Sequence, residues 1–246
     1  MKEGGETMTT TTPPSPTSYE DKIYDATPVN IERYFGNITD QRILDIGCGT
    51  GNLGVALASR GNECYGLTVS EREAQLARTK LHQVITGDVE TMQALPFPDH
   101  FFDVVTLFDV LEHLKNPSHA LQLIKPYLKP NGSIIASIPN VANIIIRFNL
   151  LRGRFDYQEF GIMDNTHLRF FTMKTAKNLL VSAGYIVRDV KFTNQNWYFP
   201  KLLVPFYEWE IRQRVTQWWP TLFATQFVLY ATLRSDTFPS RLSHAG

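Results

Sequence analysis

Two stretches of the sequence carry residue types that can bind a ligand or move a proton. Residues 43–54 read ILDIGCGTGNLG and place the acid Asp45 just before closely spaced glycines, which let a ligand approach the backbone. In DVLEHL, Asp109, Glu112 and His113 stand at i, i+3 and i+4, so one helical turn would put them on one face. Two carboxylates and an imidazole facing a cleft form a candidate catalytic or metal-binding group.

The glycine stretch fits two kinds of cofactor loop. Gly49, Gly51 and Gly54 match a dinucleotide-binding fingerprint, which requires an acid about 20 residues later, at the end of the second strand. That position is Thr68, and the acid Asp45 stands before the glycines instead. A carboxylate there can accept hydrogen bonds from loop amides, and it suits a cationic ligand better than a pyrophosphate. The sequence therefore disfavours a nicotinamide oxidoreductase.

The elements that must position these groups alternate between strands and helices. Apolar runs such as RILDIG, ECYGLTV, FFDVVTLF and SIIASIP predict buried strands, and segments with helical spacing lie between them. This alternation predicts an α/β fold with a doubly wound, mostly parallel, Rossmann-like sheet of seven strands. Ligands in such sheets bind outside the carboxyl ends of the strands, so we expect both stretches at the same edge.

Composition excludes several classes of protein. Lys+Arg and Asp+Glu both number 24, so a neutral chain gives no electrostatic support for a nucleic-acid partner. Cys48 and Cys64 lie in apolar surroundings, which indicates no disulfide framework. The sequence shows no charged-then-apolar leader and no apolar run that could span a bilayer. We expect a cytoplasmic protein without a transmembrane segment.

Composition also suggests the domain boundaries. Residues 1–18 are rich in Thr, Pro and Ser and predict a disordered tail, residues 19–235 predict one domain, and residues 236–246 form a second tail. An aromatic-rich insertion, residues 195–220, contains all the tryptophans of the chain. Its helical spacing favours a helix packed over the sheet edge. A substrate lid or a dimer surface is the second interpretation, which leaves a homodimer open, and an interfacial membrane helix is the third.

The glycine stretch resembles the first motif of class I S-adenosylmethionine-dependent methyltransferases, and TGDVETMQALPFPDHFFDVVTLFDVLEHL adds to the resemblance, which covers residues 43–233. It implies the same fold with an antiparallel last strand and S-adenosylmethionine as cofactor. It also implies a set of cofactor-binding residues from the glycine loop and from the ends of the next three strands: Asp45, Gly47, Cys48, Gly49, Gly51, Thr68, Glu73, Asp88, Val89 and Phe108.

Thr68 departs from the pattern of that family, most of whose members place Asp or Glu there to bind the ribose. A subset that resembles cyclopropane fatty-acid synthases also has GLT-x-S at this point, and there a Thr and a polar residue five positions on share the ribose. That implies Thr68 and Glu73. The alternative is that Glu73 only completes a capping box around Ser70, and both interpretations stay open.

The DVLEHL run resembles an acid-x-x-Glu-His run of small-RNA terminal 2′-O-methyltransferases and ubiquinone-pathway O-methyltransferases. In the RNA enzymes a distant His completes a divalent-metal site, which here implies His167 in GIMDNTHLRFF. The resemblance thus implies a metal such as Mg held by Asp109, Glu112, His113 and His167. Two alternatives stay open: His113 or His167 acts as a general base without metal, with Glu112 beside it, or the group is a structural hydrogen-bonded network.

The lead functional hypothesis is O-methylation of a small metabolite or a sugar hydroxyl by direct displacement. The segment after the fifth strand resembles part of bacterial methyltransferases associated with glycans and small metabolites. In it, Asn140 and Asn143 are candidates for substrate contact, whereas its arginines are expected to be solvated. The alternatives are N-methylation of a small molecule and a cofactor-binding protein without catalysis.

Deleting residues 1–18 should leave the melting temperature nearly unchanged, because these residues offer little apolar surface to bury. Thermal unfolding of the full and shortened chains, followed by circular dichroism, measures the difference. A drop of several degrees would show that the tail docks on the domain.

Overall fold

Strands and helices alternate along the chain in the computed structural model, which describes residues 31–193, 214 and 216–234. The strands are β1 (Arg42–Ile46), β2 (Glu63–Thr68), β3 (Gln83–Thr86), β4 (Phe102–Phe108), β5 (Leu128–Pro139), β6 (Tyr185–Thr193) and β7 (Gln226–Leu233). The helices are α1 (Ile31–Phe35), α2 (Asn52–Ala58), α3 (Glu71–Arg78), α4 (Pro117–Ile124), α5 (Ile144–Leu151), α6 (Met173–Ser182) and α7 (Pro220–Phe223).

The strands form one sheet in the order β3-β2-β1-β4-β5-β7-β6. Strands β1 to β5 pair in parallel, and β7 runs antiparallel between β5 and β6. The predicted fold class, a doubly wound and mostly parallel seven-stranded sheet with an antiparallel last strand, is therefore confirmed. The order reverses between β1 and β4, and ligands of such sheets bind at this switch point.

Both faces of the sheet are buried. Successive residues of a strand point to opposite faces, and Ile43 and Leu44 on β1 accordingly belong to different apolar clusters, as do Val104 and Val105 on β4. Residues of α1, α2 and α3 cover one face, and residues of α4 and α6 cover the other. Burial on both faces explains why the sequence shows continuous apolar runs rather than alternation.

Two local predictions differ from the structure. The sequence indicated a turn at KPNG, but residues 129–132 are part of β5, which pairs with β4 through an irregular register. The last strand was expected to include LFAT, whereas Pro220–Phe223 forms α7, and β7 begins only at Gln226. Proline at the first helical position favours this short helix.

Some sequence-based expectations lie outside the described residues. These are the tails at 1–18 and 236–246 and most of the insertion at 195–220. The described part of that insertion includes Trp218 and Trp219, which are 76% and 63% exposed. Within the described ranges, no helix has the length and apolar character needed to cross a lipid bilayer. The domain boundaries stay a prediction.

One leucine side chain explains several glycines at the cofactor edge. A Cβ atom on Gly54 would lie 2.5 Å from Leu81 Cδ2, and Cβ atoms on Gly51 and Gly66 would lie 3.3 Å and 3.1 Å from the same side chain. Leu81 is buried and occupies the space that these three glycines leave. Gly54 thus serves the packing of α2 against its neighbours, and it does not by itself indicate a dinucleotide.

Replacing Gly54 by Ala should destabilise the protein by up to about 2 kcal/mol. Overpacking against Leu81 costs about 1 to 3 kcal/mol, which exceeds the gain of up to about 1 kcal/mol from helix propensity. In a Leu81→Ala background the obstacle is absent, so Gly54→Ala should stabilise instead. Chemical denaturation of the unmodified chain, Gly54→Ala, Leu81→Ala and the double variant measures both effects on the free energy of unfolding. Equal effects of Gly54→Ala in the two backgrounds would refute the role of Leu81.

Candidate active site

The loop after β1 turns through three glycines in left-handed conformations, Gly47, Gly49 and Gly51, with φ of 71°, 52° and 86°. Residues with a side chain rarely adopt this backbone conformation. The amides of Gly47 and Cys48 donate to the carbonyl oxygen of Leu67 at 2.8 Å and 3.0 Å. These bonds fold the loop over the carboxyl end of β2, where the sequence predicted a cofactor.

Lys80 fixes the other side of this glycine loop. Its Nζ donates to the backbone oxygen of Thr50 at 3.0 Å and to Asn52 Oδ1 at 3.1 Å. Leu81, the next residue, packs against Gly51 and Gly54. The connection between α3 and β3 therefore supports the loop by a hydrogen-bonded cation and by an apolar wedge.

Asp45 is buried at the end of β1, with 4% of its surface exposed. Its Oδ1 accepts a hydrogen bond of 2.6 Å from the hydroxyl of Thr106 on β4, where the sequence predicted loop amides as donors. Burial raises the pKa of Asp45 to about 7, and the Thr106 hydrogen bond opposes that rise. A cationic ligand nearby would favour the ionised form.

Thr68 and Glu73 form a buried pair at the end of β2. Thr68 Oγ1 donates to Glu73 Oε2 at 2.8 Å, and the two side chains are 3% and 5% exposed. Ser70 caps α3 as predicted, since its side chain accepts from the Glu73 amide, and the Ser70 amide donates to Thr68 Oγ1. Glu73 is thus both near the cap and bonded to the proposed ribose partner.

The remaining predicted cofactor residues lie at the ends of β3 and β4. Asp88 follows β3, and its Oδ1 accepts the Glu90 amide at 2.8 Å; Val89 beside it is buried. Phe108 at the end of β4 is half-buried and stacks on Phe35 of α1, with ring centroids 5.7 Å apart. Phe35 was not singled out from the sequence, because α1 carries no recognisable motif.

The predicted face shared by Asp109, Glu112 and His113 is wrong in one respect. The turn after β4 is a single 3-10 turn, Leu111–His113, and Asp109 stands before it with a left-handed φ of 54°. Asp109 Oδ1 accepts from Ser137 Oγ at 2.8 Å and from Gln226 Nε2 at 2.6 Å. Asp109 therefore faces β5 and β7 and is not part of the helical turn.

Glu112, His113 and His167 lie together. One ligand atom from each lies within 4.8 Å of the others, and the two imidazole centroids are 4.7 Å apart at an angle of 73°. Asp109 is not part of this group. The structure thus brings together three of the four predicted metal-ligating residues, from the turn after β4 and the segment after β5.

Glu112 has the least favourable environment of the three. It is 1% exposed, and among residues 31–193, 214 and 216–234 neither of its carboxylate oxygens has a hydrogen-bond partner. Burial raises the pKa of Glu112 well above its usual range, and the negative charge of Asp109 raises it further. A buried carboxyl without such partners is costly in stability, which makes Glu112 a candidate functional residue.

Both histidines are oriented by backbone carbonyls. His113 Nδ1 lies 3.2 Å from the carbonyl oxygen of Thr166, and His167 Nδ1 lies 3.1 Å from that of Ile162. A carbonyl oxygen only accepts hydrogen bonds, so each Nδ1 carries a proton and donates. In the neutral ring the lone pair then lies on Nε2, where it can bind a proton or a metal ion.

A cleft of about 940 Å³ opens beside this group. Asp109, Glu112, His113 and His167 line it, together with side chains of the segment after β5 that include Arg154 and Phe160. A cleft of this size suits a small-molecule ligand.

Two asparagines hold the segment after β5 in place. The side-chain amides of Asn140 and Asn143 both donate through Nδ2 to the carbonyl oxygen of Ala224, at 2.9 Å and 3.0 Å. Both side chains are buried. They therefore anchor the segment to the chain before β7, a role that the predicted substrate contact did not anticipate, although Asn143 also lines the cleft.

The glycine loop and the cleft adjoin. A Cβ atom on Gly47 would lie 2.6 Å from Cγ2 of Val110, and Val110 directly precedes the Leu111–His113 turn. This close approach requires glycine at position 47. A cofactor on the glycine loop and an acceptor in the cleft would therefore meet at the carboxyl ends of β1 and β4.

Sequence reasoning missed several residues that shape the site, among them Gln226 on β7, Lys80, and Asp164 with Thr166. For the last pair a signal existed: an Asp followed two positions later by Thr is typical of a side-chain-bonded turn, and it stands just before His167. Gln226 and Lys80 approach the site only through the tertiary fold, so no local spacing points to them.

Comparisons with known proteins agree with this architecture. Residues 44–136 match the family model described as a methyltransferase domain. The chain is 33% identical over 159 residues to a ubiquinone biosynthesis O-methyltransferase of Pseudomonas syringae pv. tomato, covering 56% of this chain and 66% of the relative. It is 36% identical over 142 residues to the protein of that name from Pseudomonas fluorescens, covering 50% and 60%. The chain thus spans less than two thirds of these relatives.

Solved structures show the same fold. A possible histamine N-methyltransferase from Thermotoga maritima matches with a TM-score of 0.55 and 22% identity, covering 80% of this chain and 84% of the other. A SAM-dependent methyltransferase from Archaeoglobus fulgidus matches with a TM-score of 0.58 and 23% identity, covering 82% and 90%. The predicted resemblance is thereby confirmed as far as a methyltransferase domain at residues 44–136 and a fold shared with solved S-adenosylmethionine-dependent methyltransferases.

Proposed function

We propose that this protein transfers a methyl group from S-adenosylmethionine to a hydroxyl oxygen of a small molecule, either a small metabolite or a sugar. One observation supports this most strongly. Glu112, whose carboxyl has no hydrogen-bond partner within the described part of the chain, lines a cleft beside the glycine loop together with the imidazoles of His113 and His167. The named relatives, which are O-methyltransferases, favour oxygen as the acceptor atom.

The residues at the edge of the sheet fit the cofactor. The left-handed glycine loop leaves its backbone accessible, and Asp45 supplies a carboxyl next to it. We assign the ribose hydroxyls to Thr68 and Glu73 and the adenine to Asp88 with Val89 beside it, and Phe108 at the end of β4 stays a further cofactor contact in this proposal. S-adenosylmethionine supplies an activated methyl group bound to a positively charged sulfur.

The residues of the cleft can remove the proton that methylation of a hydroxyl releases. Bound S-adenosylmethionine would supply the methyl group: the acceptor oxygen would bond to the methyl carbon as the carbon–sulfur bond breaks, with that bond's electron pair going to sulfur. The hydroxyl proton passes to Nε2 of His113 or His167, each of which carries a lone pair in the neutral ring. Alignment of the acceptor in the cleft supplies much of the rate, since the step is a direct displacement.

A divalent metal ion is the second version of this site. Glu112, His113 and His167 would hold it, and the orphaned Glu112 oxygens fit that role. A bound ion would polarise the acceptor hydroxyl. Two imidazole nitrogens and one carboxylate suit manganese, iron or zinc better than Mg, which prefers oxygen ligands. The expectation of Mg with Asp109 as a fourth ligand is therefore replaced, because Asp109 binds Ser137 and Gln226.

Two alternatives belong to other classes of function. N-methylation of a small molecule would use the same cleft, and a non-catalytic cofactor-binding protein would use only the glycine loop. The fit of Glu112, His113 and His167 to proton transfer or metal binding supports a catalytic role. Cytoplasmic localisation and the absence of a nucleic-acid partner remain part of this proposal, and the dimer interpretation of the insertion at 195–220 stays open.

We expect micromolar affinity for S-adenosylmethionine and for its demethylated product, which corresponds to roughly 7 to 9 kcal/mol of binding free energy. Titration calorimetry with both ligands and with NAD measures it. Gly49→Val should abolish binding, since a branched side chain at φ 52° would occupy the space where the ligand meets the backbone.

Gly36 offers the matched control for backbone strain. It has a similar φ of 56°, and a Cβ atom on it would meet nothing within 4 Å. Gly36→Val should therefore keep the affinity of the unmodified chain. Tighter binding of NAD than of S-adenosylmethionine, or unchanged binding by Gly49→Val, would refute the cofactor assignment.

The two versions of the cleft chemistry make opposite predictions. If the site holds a metal ion, His113→Ala and His167→Ala should each remove activity, and a chelator should do so reversibly. If a histidine is the general base, the chelator should have no effect, and activity should fall below the histidine pKa, about 6.5 when unperturbed. Turnover is measured across pH, with and without chelator.

His82→Ala serves as the control for loss of an imidazole, because His82 is exposed and does not line the cleft. It should keep full activity in every condition. Full activity of both cleft variants would contradict both versions and would leave alignment of the acceptor as the whole mechanism.

A further inference from the structure

A buried aspartate lies behind His113. Asp164 is 4% exposed, and its Oδ1 accepts two hydrogen bonds from Thr166, one of 2.8 Å from the amide and one of 2.6 Å from the hydroxyl. This closes a tight side-chain-bonded turn. The turn also places the next residue, since the amide of His167 donates to the Asp164 carbonyl oxygen at 3.1 Å. Asp164 thus supports the loop that carries His167, and Thr166 of the same loop contacts His113.

The hydroxyl of Thr166 connects Asp164 to His113. A hydroxyl has one proton, and here that proton goes to the Asp164 carboxylate. Thr166 Oγ1 also lies 3.1 Å from His113 Nδ1, so towards the imidazole it can only accept. The carbonyl oxygen of Thr166, 3.2 Å from the same nitrogen, is a second acceptor. Both oxygens therefore require a proton on Nδ1.

We propose that Asp164 and Thr166 are positioning residues that hold His113 in the tautomer protonated at Nδ1 and so keep the lone pair on Nε2. The functional meaning rests on the proposed methyl transfer, because a base or a metal ligand in the cleft needs that lone pair. Asp164 acts by fixing the direction of the Thr166 hydroxyl. Glu112 and Asp109, carboxyls that line the cleft with His113, stay the same in every variant used to test this.

Removal of the Asp164 carboxylate changes what the Thr166 hydroxyl can do. Without its acceptor, the hydroxyl proton becomes available to His113 Nδ1, and a donated hydrogen bond there stabilises the opposite tautomer, protonated at Nε2. Asp164→Ala should therefore raise the population of that tautomer. Asp164→Asn keeps a side-chain oxygen as acceptor and should preserve the native tautomer.

The test is nitrogen NMR of the chain labelled with 15N in its histidines, at about pH 8, where an unperturbed imidazole is neutral. Two-bond correlations between ring protons and ring nitrogens distinguish the two tautomers, and a His113→Gln variant assigns the signal. His167, whose Nδ1 lies next to the Ile162 carbonyl oxygen, is the internal reference. The measurement needs no acceptor and no turnover, so it is independent of whether methyl transfer occurs.

We expect His113 to be protonated at Nδ1 in the unmodified chain and in Asp164→Asn, and to shift towards Nε2 protonation in Asp164→Ala. The double variant Asp164→Ala/Thr166→Val removes the competing hydroxyl and should restore the Nδ1 tautomer through the Thr166 carbonyl. Activity on an accepted substrate should fall about 10- to 100-fold in Asp164→Ala and less in Asp164→Asn, as for other residues that orient a functional imidazole.

Three results would overturn the proposal. An unmodified chain with His113 protonated at Nε2 would contradict it without any variant. An unchanged tautomer in Asp164→Ala would show that the carboxylate does not direct the hydroxyl. An equal shift in the single and double variants would show that the loop has lost its structure and that the hydroxyl has no specific effect.

Discussion

The backbone carbonyl of Glu112 joins the two segments on which the candidate site depends. It accepts hydrogen bonds of 2.9 Å from the amides of both Leu168 and Arg169. The turn after β4 and the segment after β5 are distant in sequence, and this pair of hydrogen bonds fixes one against the other. These two hydrogen bonds bring Glu112 and its neighbour His113 next to the segment that carries His167. Main-chain hydrogen bonds thus contribute to the assembly of the candidate site.

The same arrangement explains how the fold accommodates a buried carboxyl without partners. Such a group would cost about 1 to 3 kcal/mol or more in stability, and the surrounding sheet supplies the compensation by burying apolar residues on both faces. The raised pKa of Glu112 lowers that cost, since the neutral acid is less expensive to bury than the anion.

The sheet could be predicted from the sequence because its strands are continuous apolar runs, such as ILDI and VVTLF, and parallel strands of a doubly wound fold have few alternative orders. The edge at which ligands bind followed from the same rule. The position of Asp109 could not be predicted, because helical spacing assumes helical φ, and Asp109 adopts a left-handed one. Ser137 and Gln226, which donate hydrogen bonds to Asp109, lie on strands distant in sequence. The local spacing of residues does not predict such contacts.

Lys80 and Leu81 together fix the conformation of the glycine loop. Lys80 holds a loop carbonyl by its ammonium group, and Leu81 lies 3.3 Å from the position of a Cβ atom on Gly51, the last glycine of the loop. Glycines otherwise give a chain its greatest freedom, so an unsupported loop would lose much entropy on binding. Here that ordering is already achieved during folding, which makes the loop a preorganised receptor. Recognition of the cofactor should consequently resemble docking to a rigid surface, with little rearrangement of the main chain between the free and bound forms.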